Sequence, residues 1–382
     1  MKVNNKDEVF KLIIQNKNIT RNEIAEKLGI SKMAVSKITK KFLENSYIFE
    51  KEKKESSGSG RKGSYLVVNK KIMGNILGIY FGLHKVDICV VDIDKNFILK
   101  ESIKITNFDK ILEAVIKKVD EIVKSISIMI ISIGMNGVVN NETGMVVVST
   151  YYHWINLPLK NIFEDKFGIT TVIRNGVYLI ALAQKRVGSC KENKNFAVLN
   201  IENGVGATIY RKDGLKEEFK ISEIGHTPFD YSSNALICVC GNKGCLETVM
   251  ANWRMEERVF KETGKKYSYD EIVENANNNK SYFKNVLLDC IEPLSHAILW
   301  LNYIVSPEKI LITGKITGCG KFFWQELNRY IKNNQLDKEN ELKIERVVYE
   351  EDMILTGAVQ SAFDNISDSV FIKNLFKGGK NE

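Results

Sequence analysis

The chain has 382 residues, 44% of them hydrophobic and 27% charged, the balance of a globular protein of two or three domains. That composition excludes collagen-like, mucin-like and wholly disordered chains, and no apolar run is long enough to predict a transmembrane helix. The charge is uneven: 55 Lys+Arg oppose 47 Asp+Glu overall, yet residues 1–70 hold 16 against 8 and the remainder 39 of each. A basic module on a neutral body predicts a polyanionic partner, most simply nucleic acid, with a solvated basic tail as the plain alternative. The opening MKVNNKDEVF has no apolar core, so no signal peptide is expected. Seven cysteines, an odd number, fit the reducing cytoplasm, as thiols or metal ligands rather than a disulfide frame.

Residues 6–45 read as three short helices. Val9, Leu12 and Ile13 give the first its apolar stripe. Thr20 begins T-R-N-E, the pattern in which a threonine caps an amide and Glu23 reaches back. Ile24, Ala25 and Leu28 face inward, and Gly29 supplies the left-handed residue that ends the second helix. Ser31 caps the third, in which Val35, Ile38 and Phe42 form the buried stripe. Ala25, Gly29, Val35 and Ile38 sit where a helix-turn-helix needs a small residue, a turn glycine and two aliphatics. The opposite face of the third helix carries Met33, Ser36, Lys37 and Lys40, with Ser31 and Lys32 at its start, a polar and basic set suited to the major groove. The competing reading is a packing module with a solvated lysine face.

Tyr47–Glu50 and Tyr65–Val68 read as strands around KEKKESSGSGRKGS, a hairpin wing whose Arg61 and Lys62 would meet a narrow minor groove. An interdomain linker would have similar composition. From Asn75 the pattern becomes α/β. ILGIYFGLHKVDICVVD reads strand, glycine turn, strand, and FAVLNIENGVGATIYRKDG repeats the theme later in the chain. Between them lie a helix at Ile111–Val123, a buried strand at Ile126–Ile133 and a helix at Val177–Arg186. Two such halves predict a duplicated fold with a cleft between lobes.

His226, Cys238, Cys240 and Cys245 follow H-x11-C-x-C-x4-C. Three thiolates and an imidazole are a closed tetrahedral set that favours structural zinc over the oxygen-seeking magnesium and calcium. Gly241 and Gly244 allow the loop to turn back. Cys89, Cys190, Cys290 and Cys319 have no such partners.

Taken in order, SSGSGRKGS, LGIYFGLHK, IGMNGVV, WINLPL, NGVYLIALAQ, GVGA, EIGH, CVCGNKGCLE, PEKILITGK and a late TGA resemble the ROK family (repressors, open reading frames and sugar kinases), specifically its transcriptional members. The resemblance implies an N-terminal winged helix-turn-helix followed by a two-lobe, actin-like (ribonuclease-H-like) α/β body. The expected domains are 1–70 for DNA binding, 71–193 for the first lobe and 194–382 for the second, with the last helix free to return to the first. It also implies a sugar site formed by Asn175, Glu223, His226 and Glu247, the second imidazole nitrogen of His226 serving a hydroxyl. Asn136, Gly137, His153 and Trp154 are weaker lining candidates.

Two departures bear on catalysis. The aspartate that serves ATP and its metal in ROK kinases is Tyr80 here, and the catalytic base is Gly176. Leu83 and His84 replace small and hydroxyl residues that receive phosphate, and Thr313 and Lys315 flank Gly314 in the altered adenine-side motif. The reading is a sugar-responsive transcriptional repressor without kinase activity, a cytoplasmic homodimer that binds operator DNA and a small carbohydrate, with one zinc per chain and no membrane partner. Two alternatives stand beside it: a ROK sugar kinase with a fused DNA-binding domain, and a regulator whose body binds a protein.

Overall fold

The computed structural model describes residues 5–16, 18–52, 64–214, 216–339, 342–348, 351–366 and 372–373. The chain falls into two compact units, Met1–Asn175 with Ala358–Glu382, and Gly176–Gly357.

The first unit opens with helices α1 (Asn5–Gln15), α2 (Arg21–Leu28) and α3 (Lys32–Glu44), then the antiparallel strands β1 (Ile48–Glu52) and β2 (Ser64–Val68). Local chemistry sets each boundary. Thr20 and Glu23 form a full capping box on α2, and Gly29 ends it at φ 62. Ser31 Oγ accepts the Ala34 N–H at the start of α3. Val9, Phe10, Ile13, Ile24, Val35 and Phe42 are buried as one small core. Ile38, expected in that core, is only half-buried; Thr39 is fully buried instead. A backbone bridge from Leu66 to Ile19 ties the strands to the helices. The hairpin tip carrying Arg61 and Lys62 lies outside the described residues.

The body of the first unit contains β3 (Asn75–Phe81), β4 (Lys85–Val91), β5 (Phe97–Lys104), α4 (Ile111–Ser125), β6 (Ile128–Met135), the small sheet β7 (Val138–Asn140), β8 (Met145–Ser149) and β9 (Trp154–Leu157), then α5 (Leu159–Phe167) and β10 (Thr171–Asn175). Its main sheet runs β5-β4-β3-β6-β10, with β3, β4 and β5 antiparallel and β6 and β10 parallel to β3. Strand β6 is buried along its whole length, which explains its unbroken apolar run, whereas edge strand β5 alternates and carries Lys100 and Lys104.

The second unit contains α6 (Gly176–Arg186), β11 (Asn195–Ile201), β12 (Val205–Asp213), β13 (Lys216–Ser222), α7 (Glu247–Met250), α8 (Asn252–Thr263), α9 (Tyr269–Asn277), α10 (Ser281–Leu288), α11 (Ile291–Val305), β14 (Ile310–Thr313), α12 (Lys321–Asn334) and β15 (Ile344–Arg346). Its sheet runs β13-β12-β11-β14-β15, again with an antiparallel meander beside two parallel strands. The two sheets therefore share one topology, the ribonuclease-H-like order, repeated as the two sequence halves predict. The division at Asn175/Gly176 precedes the 193/194 boundary read from the sequence, because α6 packs on β11, β12 and β13. The last helix, α13 (Glu351–Asp364), is divided: from Ala358 onward it belongs to the first unit, where Asp364 accepts a bond from Gln15 of α1.

Candidate metal centre and nucleic-acid interface

In the N-terminal module the third helix presents one face to solvent. Ser31, Lys32, Met33, Ser36, Lys37 and Lys40 are all exposed. The Ser31 hydroxyl has a structural task as the cap of α3, so of the six it is the one already engaged by backbone. Arg21, which no motif singled out, fixes this face: its Nε donates to Thr39 Oγ1 on α3 at 3.0 Å and its Nη1 lies 2.5 Å from Glu50 Oε1 on β1. A signal for it exists in the sequence. A cation in the first turn of a helix opposes the macrodipole, so its presence there implies another partner.

The four candidate metal ligands converge as the spacing predicts. The donor atoms of His226, Cys238, Cys240 and Cys245 all lie within 4.8 Å of one another. Cys240 Sγ and Cys245 Sγ are 3.6 Å apart, and Cys238 Sγ is 3.4 Å from His226 Nδ1. Metal–donor lengths of about 2.3 Å to sulfur and about 2.0–2.1 Å to nitrogen place tetrahedral donors roughly 3.6–3.8 Å apart. The residues present thus fit a four-coordinate ion.

The loop is built for this convergence. Residues Ile224–His226 form a single 3-10 turn after β13, and β-bridges pair Pro228 with Cys245 and Ile237 with Lys243. Gly244 has φ 72, and a Cβ there would lie 1.8 Å from the Asp230 carbonyl oxygen, so no other residue fits. Cys238 and Cys245 are buried, Cys240 is exposed and His226 is half-buried. Burial pushes the Cys245 thiol up to about 12; a bound cation would reverse that preference by stabilising the thiolate. The other four cysteines, Cys89, Cys190, Cys290 and Cys319, are buried in the cores.

Three of the four sugar candidates adjoin this centre within the second unit. Glu247 opens α7, two residues past Cys245, and its Oε2 accepts the Val205 N–H at 3.2 Å. Burial raises its carboxyl above the ordinary carboxylate range; the Val205 amide and the His226 charge oppose the rise, and Glu223 adds to it. Glu223 is exposed and borders a cavity of about 310 Å³ whose walls include Ile224, Trp300 and Ile304. Trp300 carries no sequence motif. Asn175 ends β10 of the first unit, where its Nδ2 donates to the Gly137 carbonyl at 2.9 Å. Gly137 and Asn175 are thus associated, while Asn136 donates to the hydroxyl of the buried Tyr80 at 3.2 Å. His153 is exposed with φ 51, and Trp154 packs edge-on to Phe81. At the kinase positions, Tyr80 is buried in β3 and Gly176 is the buried first residue of α6.

The winged three-helix module, the doubled sheet and the His/Cys3 loop define the class of chain. The ROK family sequence profile matches residues 76–363, and a profile described as winged helix-turn-helix DNA-binding matches residues 8–48. The chain belongs to the ROK family. It is similar to the xylose repressor of Caldicellulosiruptor bescii, 27% identical over 380 residues that cover 93% of this chain and 94% of that one. It is also similar to the DNA-binding transcriptional dual regulator NagC of Escherichia coli K12, 25% identical over 350 residues, 87% of this chain and 85% of NagC. Among solved structures, a ROK family transcriptional regulator homologous to the E. coli MLC protein superposes with a TM-score of 0.80 at 23% identity, covering 98% of both chains. A ROK family glucokinase from Streptomyces griseus, in complex with glucose and AMPPNP, superposes with a TM-score of 0.63 at 17% identity, covering 75% of this chain and 99% of the kinase. Among the described residues, no helix is long and apolar enough to cross a membrane.

Proposed function

We propose that this protein is a sugar-responsive, DNA-binding transcriptional repressor of carbohydrate metabolism, without kinase activity, acting as a cytoplasmic homodimer. The observation that carries the reading is the capped third helix with an unbroken exposed face of Lys32, Met33, Ser36, Lys37 and Lys40, in a chain whose residues 76–363 match the ROK family. One recognition helix contacts too few bases for genomic specificity, so a two-fold dimer reading half-sites one or more helical turns apart follows. Asn175, Glu223, His226 and Glu247 are the groups proposed to hold a carbohydrate, since carboxylates and amides accept and donate to vicinal hydroxyls. The sugar acts by binding one arrangement of the protein better than another, which is the only way a ligand shifts an equilibrium.

Phosphoryl transfer requires a base for the attacking hydroxyl and groups to hold Mg-ATP. Gly176 has no side chain to serve as base, and Tyr80 offers a buried phenol where a carboxylate is needed. His226, Cys238, Cys240 and Cys245 would hold a structural zinc ion, which staples the loop that precedes Glu247. Gel-shift titration of the full chain against its selected duplex, with and without a panel of pentoses, hexoses and amino sugars, tests the reading. A sugar that shifts the midpoint, together with no ATP turnover, is the expected result. ATP consumption with any of those sugars would favour the kinase instead.

A further inference from the structure

We infer that Met33 is a specificity residue that packs against the 5-methyl group of a thymine in the major groove. The inference rests on the DNA-binding reading above and deepens it. Met33 is 82% exposed, whereas Val35 and Phe42 on the same helix are buried. Its neighbours on the exposed face, Lys32, Ser36, Lys37 and Lys40, are all charged or hydroxylic. A long apolar side chain held in water among cations gains nothing in the free protein; it gains when an apolar surface covers it. The surrounding lysines select what that surface belongs to. Charge complementarity favours a polyanion, and the net formal charge of the chain, +8, resides in residues 1–70.

The position of Met33 narrows the choice further. It lies in the first turn of α3, which the Ser31 hydroxyl fixes by accepting the Ala34 N–H at 3.2 Å. Side chains at the N-terminal end of a recognition helix are the ones that reach base edges. In the major groove the base edges offer donors, acceptors and a single kind of apolar group, the thymine methyl. The unbranched, polarisable thioether adapts to such a small apolar target. Lys37 and Lys40, one turn or more further along, then lie on phosphates and set the register without reading sequence.

The test uses the full chain and duplexes it selects from a random-sequence library. Each thymine of the best duplex is replaced in turn by deoxyuridine, which deletes the methyl and keeps the hydrogen-bonding edge. One position in each half-site should weaken binding about fourfold, the value of one buried methyl-sized group. Met33→Ala should bind the unmodified duplex about fourfold more weakly or worse and lose its sensitivity to that deoxyuridine. Met33→Leu should keep it. If no deoxyuridine weakens binding, or the same one weakens Met33→Ala equally, the inference is wrong while DNA binding stands. If no duplex is enriched, DNA binding itself fails and the inference falls with it.

Discussion

Arg21 at the first turn of α2 lies with its Nη1 2.5 Å from the Oε1 of Glu50 on β1, while its Nε donates to Thr39 of α3. One guanidinium therefore links α2, α3 and β1. Both partners of the ion pair are partly exposed, so the pair alone contributes modestly. The hydrogen bond to the fully buried Thr39 adds to it, because a charged donor strengthens a bond to a group that water cannot reach.

Arg21→Ala should cost about 1–2 kcal/mol of stability and weaken duplex binding, since α3 and the wing lose their common anchor. The exchange Arg21→Glu with Glu50→Arg should recover part of both losses relative to Arg21→Glu alone. Chemical denaturation and duplex titration of the three proteins check this. Recovery of neither property would show that the two side chains act independently.

The same pair carries a pH signature. The Arg21 hydrogen bond holds the Glu50 carboxyl below the ordinary range, against an opposing rise from burial. A depressed folded value means that the contribution is present above the unfolded pKa of about 4.3 and is lost as pH falls through the folded value. Glu50→Gln should lower stability at neutral and alkaline pH, converge with the wild type in strong acid, and so flatten the fall in stability below about pH 5. Urea melts across that range provide the comparison.

At the metal loop, Cys240→Ser replaces a soft ligand with a poor one and should abolish bound zinc measured by elemental analysis of the purified protein. Gly244→Ala should do comparable damage by a different route, because its Cβ would collide with the Asp230 carbonyl in a left-handed backbone. Wild-type protein should contain one zinc per chain and melt at lower temperature after chelation. Metal-free wild-type protein with an unchanged melting temperature would contradict the ligand assignment.

Lys37→Ala leaves a helix-compatible residue on an exposed face, so folding should be unaffected. Loss of one phosphate contact per half-site should weaken duplex binding and reduce the slope of log K against log salt by about 1 per contact. A salt titration of both proteins gives the two slopes directly.

Local chemistry made much of this architecture legible in advance. The capping box at Thr20 and Glu23, the glycine at 29 and the strands flanking the wing are all set by residues close in sequence, and each is realised. The H-x11-C-x-C-x4-C spacing brings four candidate ligands together because the intervening loop is short and glycine-punctuated. Non-local partners were less readable. Thr39 took a core place that helical periodicity gave to Ile38, because the Arg21 donor lets a hydroxyl be buried there. The unit boundary fell before α6, since a helix joins the sheet it packs on and sequence does not say which. Glu223 and Glu247 look alike in sequence, yet one is exposed and the other half-buried with a backbone donor.

The most direct test of a sugar-responsive repressor is the affinity of the full chain for its selected duplex, measured by fluorescence anisotropy in the presence of each pentose, hexose and amino sugar in turn. One class of sugar should change that affinity by a factor of about 5–150, the usual range of coupling between two sites. Glu223→Ala should bind the duplex normally and lose the response. An affinity that no sugar alters, or a response that Glu223→Ala retains in full, would contradict it.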